Sequence, residues 1–342
     1  MDTTKGKIFI KNALSPFFRG LYQGLGQIVV LHRVIPKSSN ERLRNTGIEI
    51  TEEHLEDLIV YFKKRNYDFI SLDDLPDYLQ GKIKRKFVIF TLDDGYVDNL
   101  THAHPIFKKH NVPFTIYVTT NFPDKKAVLW WYLLEDLLLK EQRLTFNFKE
   151  ENFNFNLQSY TDKEETFNYL RHFIKSYEGA EQLNLIDTIF SKYSMPLYEK
   201  VEDLALNWNQ IIQLNSDPLV TIAAHTVNHP SFKAISDSQL LQEVNQSVKI
   251  LESRLNTPIE HFAYPFGSPV EVGDREVELM YKTKIKTSTT GRKGNIMAEH
   301  QNHMHALPRL YVGPQTTERY LNDFISGKIS FVSGSKQRIV TV

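Results

Sequence analysis

The sequence predicts an α/β fold: a parallel β-sheet wrapped in helices, closed as a (β/α) barrel rather than left open. Two observations predict it. Short, near-continuous apolar segments rich in β-branched and aromatic residues recur along the chain, as in strands buried on both faces. Between them lie segments with apolar residues at helical spacing, so that strand and helix alternate six to eight times. A length of 342 residues is routine for such a barrel.

Taken in order, "IVVLHRV" (28–34) is the first strand, and "TEEHLEDLIVYFKKRN" (51–66) is a helix with Leu55, Leu58, Ile59 and Phe62 on one face and Thr51 as its N-cap. "DFISL" (68–72) reads as a strand, "DDLPDYL" as a short helix and "KFVIFTLDD" (86–94) as the next strand. "NLTHAHPIFKKH" follows as a helix and "PFTIYVTT" (113–120) as a strand. The rhythm resumes with the strand "LVTIAAH" (219–225), a capped helix over 236–256 and the strand "HFAYPFG" (261–267). The helix "VELMYKTK" and the strands "IKTSTT" and "HALPRLYVG" complete it. Residues 121–205 interrupt the pattern: "RLTFNFKEENFNFNLQ" alternates as a hairpin turning around Glu150–Asn152, flanked by helical stretches. This segment is expected to be an insertion at the barrel rim within a single domain spanning 1–342. Trp130, Trp131 and Tyr132 are expected in its core, and Phe146, Phe148, Phe153 and Phe155 on one packed hairpin face.

Composition narrows the function. Lys+Arg and Asp+Glu both number 41, and this balance gives no basic footprint for nucleic acid. The absence of cysteine removes disulfide and thiolate chemistry. No run of about 18 apolar residues marks a membrane span. The start of the chain lacks the apolar core of a signal peptide, so a cytoplasmic protein is expected. The mildly amphipathic, basic segment "IFIKNALSPFFRGLYQGLG" leaves a weak peripheral membrane contact open. The sequence is silent on oligomeric state.

Chemistry in parallel α/β folds gathers at the carboxyl ends of strands. Those ends carry His32, the pair Asp93–Asp94, His225, the turn Pro265–Phe266–Gly267, and the Arg309 region. Histidines four apart, His225 and His229, suit one metal ion on a helical turn. No Glu follows His225 and Pro230 comes directly after His229, which excludes the helical metalloprotease motif. Two histidines and one aspartate leave positions on the metal for water, as a hydrolytic site needs. Adjacent carboxylates need separate tasks, or one is driven to protonate. One as a ligand and one as general base satisfies that requirement, and Gly95 lets the backbone turn sharply after them.

These residues carry a resemblance. "TLDDGY" resembles the T-F-D-D-G motif of the polysaccharide deacetylases, the NodB-like group of carbohydrate esterase family four. "HTVNH" is similar to that family's H-[ST]-x-x-H motif, and "FAYPFG" to its third motif, in the subgroup reading F-A-Y-P-[YF]-G. "VVLHRV" also resembles an early strand of that subgroup. The resemblance covers roughly residues 86–312, interrupted by the insertion.

It implies a distorted (β/α) barrel of about seven strands and removal of N-acetyl groups from sugars. It implies Asp93 as general base, and Asp94, His225 and His229 as ligands of a divalent metal. Zinc suits these donors best, with cobalt, nickel or manganese able to serve. The Phe266 N–H would donate to the oxyanion, with Tyr264, Pro265, Gly267 and His32 beside the substrate. The arginine of the typical third motif is missing, since Ala263 and Tyr264 stand there, and Arg309 in "LPRLYV" is the candidate substitute. The D-x-x-D-W motif is absent, with "TSTTG" (287–291) in its place. For the general acid His305 is nearest by position, with His303, His300 and His32 as alternatives. The expected substrate is a carbohydrate: a polysaccharide, or a lipid- or nucleotide-linked precursor. Competing readings are hydrolysis of another non-peptide C–N bond and a catalytically weak glycan-binding homologue. Retention of Asp93, Asp94 and both histidines weighs against both.

Overall fold

A computed structural model describes residues 21–37, 43–329 and 337–342, so most of the amphipathic N-terminal segment lies outside the described residues. Twelve strands occur among them: β1 (Gly26–Leu31), β2 (Arg33–Ile35), β3 (Glu49–Thr51), β4 (Asp68–Phe69), β5 (Phe87–Leu92), β6 (Phe114–Val118), β7 (Arg143–Phe148), β8 (Glu151–Asn156), β9 (Val220–Ala224), β10 (His261–Ala263), β11 (Thr287–Lys293) and β12 (Leu307–Tyr311). Seven of them pair in parallel in the ring β1–β5–β6–β9–β10–β11–β12, which closes because β1 also pairs with β12. The barrel is therefore closed and seven-stranded, and β4 pairs onto the outside of the ring through β5.

Strand periodicity sorts the side chains into two layers. Phe87, Ile89, Ile28, Tyr117, Ala223, Ala263 and Leu307 fill the barrel interior, and Leu72, Leu75, Tyr78 and Leu79 pack with them. Val88, Phe90, Leu92, Ile116, Val118 and Ala224 point outward against the helices Glu52–Lys64, His104–His110 and Asp237–Leu255. Each fully buried aliphatic or aromatic side chain of this kind contributes about 1.5–3 kcal/mol. Helix ends follow the sequence closely. The Thr51 side chain caps the first of these helices, and Ser236 with Gln239 forms a capping box on the last, which ends at Asn256 in the left-handed region (φ +52°).

Several elements differ from expectation. "DFISL" yields only the two residues of β4, because the chain then dives to the inner layer with Ile70 and Leu72. "HFAYPFG" stops as a strand at Ala263, since Pro265 brings no donor to a ladder. The helix expected over 277–284 runs instead from Asp274 to Met280, begun by the Gly273 N–H bonding to Glu276 (2.7 Å). The segment 99–110 opens with a wide π-type turn over Asn99–Ala103 before becoming α-helical.

Between β6 and β9 the chain builds a second hydrophobic cluster. The β7–β8 hairpin pairs Phe146 opposite Phe153, their rings stacked at 4.6 Å, and Leu144 opposite Phe155. Its turn lies at Lys149–Glu150, one residue earlier than the pattern suggested, with Lys149 at φ +53°. Helices Trp130–Lys140, Tyr160–Lys175 and Gly179–Ser191 cover its apolar face through Leu137, Phe167, Leu170 and Phe190. Phe167, 1% exposed, is central to this cluster. Replacement by Ala is expected to lower stability by about 3–5 kcal/mol, read as a reduced midpoint in urea unfolding.

Candidate active site

The seven strands end around one mouth, and parity decides what faces it. Beyond Ile89 and Thr91, Asp93 continues the inward set of β5. The same alternation carries His32 inward beyond Ile28 and Val30, Thr119 beyond Tyr117, His225 beyond Ala223, and Arg309 beyond Leu307.

Asp93, 3% exposed, meets Arg309 in a bidentate pair: Nη1 donates to Oδ1 and Nη2 to Oδ2, both at 2.7 Å. The guanidinium is itself fixed, with Nε donating to the Thr290 carbonyl (2.8 Å) and Nη1 reaching the Thr91 hydroxyl (3.3 Å). A register shift between β11 and β12 accompanies that carbonyl contact. Burial pushes the Asp93 carboxyl up, but the charge and hydrogen bonds of Arg309 outweigh it and hold the group below the usual carboxylate range.

By parity Asp94 should point outward. It does not, because Asp94 and Gly95 both adopt left-handed backbone (φ +79° and +86°) and reverse the chain. For a non-glycine residue this costs about 1–3 kcal/mol. The reversal sets Asp94 Oδ1 3.3 Å from His225 Nε2 and 3.4 Å from His229 Nε2. Burial again raises the carboxyl, and the facing imidazoles hold it well below its ordinary range. His225 Nδ1 lies 2.7 Å from the Ala263 carbonyl, which can only accept, so in the neutral ring Nε2 keeps the lone pair. His229 follows the turn Thr226–Asn228, its N–H bonded to the Thr226 hydroxyl (2.9 Å). Desolvation lowers the His229 pKa, favouring the neutral, ligating form.

Asp94 Oδ1 is buried and has no hydrogen bond. One ligand atom from each of Asp94, His225 and His229 falls within 4.8 Å of the others. A carboxylate oxygen without a donor, converging with two imidazole nitrogens, is the donor set of a divalent cation, and these residues fit one.

His32 lies beside this pair, close enough for its charge to lower both Asp93 and Asp94, and its buried Nδ1 has no hydrogen-bond partner among the described residues. Phe266 (φ +59°) and Gly267 (φ +66°) turn the chain after Pro265. The Phe266 ring packs edge-on to His229 at 4.7 Å, and its N–H has no acceptor among the described residues. Gly267 is required there, because a Cβ would lie 2.4 Å from the Gly291 nitrogen.

Two expected site residues are elsewhere. Tyr264 points into the outer layer beside Phe232 and Phe262, its hydroxyl donating to the His305 carbonyl (2.8 Å), because it is out of phase with Ala263. His305 sits in the turn entering β12, at the amino end of the barrel. Its Nδ1 is 3.0 Å from the Ser288 hydroxyl and its ring packs on Tyr281 at 4.4 Å. Burial pushes its pKa down to about 4, so near neutrality it stands as the neutral imidazole and not as the imidazolium a general acid needs. Of its competitors, His303 is exposed, and the buried His300 bonds the Met297 N–H (2.8 Å) and the Val340 carbonyl (3.0 Å).

From His229 and Phe266 a cleft of about 760 Å³ runs outward between the inserted helices and the 228–243 segment. Trp131, expected in the insertion core, lines it with its ring 6.0 Å from that of His229. The sequence reading also missed Glu243, which accepts the Val227 and Asn228 N–H groups (2.8 and 2.9 Å). Nothing in the pattern of its helix singles it out. Thr226, by contrast, was readable from its place inside "HTVNH".

The polysaccharide deacetylase family matches residues 80–283. No curated protein matches the sequence. Among solved structures, the chain is similar to the Streptococcus pyogenes deacetylase PplD in complex with acetate (17% identity, TM-score 0.57, covering 87% of this chain and 97% of that one). It is also similar to a de-N-acetylase from Aggregatibacter actinomycetemcomitans (14%, 0.55, 87% and 99%) and to IcaB from Ammonifex degensii (18%, 0.53, 88% and 97%). At these identities the likeness is one of fold.

Arg309→Met strands a buried Asp93, so a loss of about 3–5 kcal/mol is expected in denaturant unfolding. For His305 the folded pKa of about 4 lies below the unfolded 6.5, so the unfolded chain binds the extra proton between these values. Its contribution is therefore complete above pH 6.5 and is lost as pH falls toward 4, by about 3 kcal/mol. His305→Gln should flatten that part of the stability profile while leaving hydrolysis near neutrality intact.

Proposed function

The chain belongs to the polysaccharide deacetylase family, and from that premise we propose that it removes N-acetyl groups from an N-acetylated glycan with a divalent cation held by Asp94, His225 and His229. The observation that carries this reading is the convergence of the undonated Asp94 Oδ1 with two imidazole nitrogens, beside a second carboxylate locked by Arg309. Zinc suits the mixed nitrogen and oxygen donors best, and cobalt, nickel or manganese are alternatives. When bound, such an ion polarises the amide carbonyl and activates solvent.

The chain's own groups take the remaining tasks. Asp93 accepts the proton of the attacking water. Arg309 keeps it ionised and aimed, the task given to an arginine of the third motif elsewhere in the family, which supports placing this chain in the F-A-Y-P-[YF]-G subgroup. The Phe266 N–H stabilises the developing oxyanion. His32 replaces His305 as the acid that protonates the leaving amine: it stands at the mouth beside both aspartates with a free ring nitrogen.

The cleft supports a glycan substrate. Trp131 and Phe266 offer aromatic faces, while Gln182, Asn228 and Gln242 offer amides. Among the described residues, the charged groups of its lining are Lys126, Glu178 and Glu243, and none is an arginine. That lining favours an uncharged sugar chain over a phosphate-bearing lipid- or nucleotide-linked precursor.

Acetate release from N-acetylglucosamine oligomers tests the proposal. Chelation should abolish release and Zn²⁺ or Co²⁺ restore it, while Asp93→Asn should cut kcat at least about 100-fold with the fold retained by circular dichroism. Full-rate release by the metal-stripped protein would sink it.

A further inference from the structure

His225 and His229 reach the same Asp94 oxygen only because the three residues between them turn tightly, with Thr226 at φ +69° and His229 at φ +58°. Neither is a glycine, so both left-handed residues are strained, and the turn needs partners that hold it. The Thr226 hydroxyl bonds the His229 N–H from within. From outside, a single carboxylate grips the rest. Glu243, on the helix Asp237–Leu255, accepts the Val227 N–H (2.8 Å) and the Asn228 N–H (2.9 Å) on Oε2, and the Asn228 side-chain amide (2.5 Å) on Oε1. Successive backbone N–H groups beside a left-handed residue form an anion-binding concavity, and here the chain's own glutamate fills it. The next N–H along, that of Ser231, goes to Glu178 of the inserted segment (2.8 Å).

We propose that Glu243 is a positioning residue of the metal centre: it touches neither the ligand atoms nor Asp93, but fixes the turn that sets the bite of the two imidazoles. The proposal rests on the metal-dependent reading above. Outer partners of this kind typically change metal affinity by about 10–100-fold. Glu243 does so through backbone geometry, since its hydrogen bonds go to the turn and not to the imidazole rings.

The test uses the full chain and metal binding alone. Zn²⁺ affinity is measured by competition with a chromophoric chelator, and the visible spectrum is recorded after loading with Co²⁺. Glu243→Ala should weaken Zn²⁺ binding at least about 10-fold and alter the cobalt bands. Glu243→Gln, which keeps an oxygen for the two backbone N–H groups, should recover part of the affinity. Asn228→Ala, which removes the Oε1 bond and the bond its own Oδ1 accepts from Asn121 (2.6 Å) but keeps both backbone bonds to Glu243, should show a smaller loss of the same kind. It also carries the test if Glu243→Ala does not fold. Gln246→Ala, exposed on the same helix and outside the cleft, should leave Kd and spectrum unchanged. A purely structural role would lower the melting temperature of the metal-free variants and leave Kd and the cobalt spectrum at wild-type values, and that result would overturn the proposal. If the wild-type chain takes up no Zn²⁺, the metal reading fails and this proposal falls with it. Tight wild-type binding matched by Glu243→Ala removes this proposal alone.

Discussion

The buried ion pair between Arg309 and Asp93 is the interaction on which the rest of the site depends. Arg309 lies in β12 and Asp93 directly follows β5; these strands are not paired with each other, and β1 lies between them, paired to both. In an open sheet of the same strand order, β12 and β5 would lie far apart around the sheet, and the guanidinium could not reach. Closure of the ring is thus a precondition for an ionised aspartate at the mouth. The pair in turn ties three strands together across the closure. Its geometry matters as much as its charge, because two parallel N–H···O bonds fix the carboxylate plane where a lysine would fix only a distance.

Around that pair the site is built from a rule and its exceptions. The rule is strand parity, which turns His32, Asp93, Thr119, His225 and Arg309 toward the axis without local strain. The exceptions are Asp94, Thr226, His229 and Phe266, all non-glycine residues with positive φ clustered at the mouth. Each puts a side chain or N–H where parity would not. The energy they cost is supplied by the surroundings: Val118 packs under Gly95, Gly267 and Gly291 meet backbone to backbone, and Glu243 holds the histidine turn. Strain concentrated where chemistry is expected is the usual sign of preorganisation.

The inserted segment has its own apolar cluster yet is bound to the mouth at several points. Val97 N–H bonds the Leu204 carbonyl (2.8 Å) and Leu206 N–H the Gly95 carbonyl (3.0 Å), which joins the end of the insertion to the loop after Asp94. Lys175 pairs with Glu271 (2.6 Å) and lies 4.0 Å over the Phe266 ring, and Glu178 bonds Ser231. Glu178 is raised to about 7 by burial, followed by the nearby charge of Glu243. One wall of the cleft is therefore the insertion, so the shape of what enters is set outside the barrel core.

Much of this was legible in the residues alone, because the signals are local. Apolar runs and helical spacing gave the strand–helix alternation, and three short motifs gave Asp93, Asp94, His225, His229 and the Phe266 turn. Arg309 was named from its position in "LPRLYV", but its partner could be known only once β1 had joined β12 to β5. The tertiary structure alone decided that His32 rather than His305 stands at the mouth, that Tyr264 faces the helices, that Trp131 lines the cleft and that Glu243 bonds the turn between the two histidines. The physical reason is that a strand's parity is written in its sequence, but the phase at which it ends, the φ reversals beyond it and the register between distant strands depend on packing across the whole barrel.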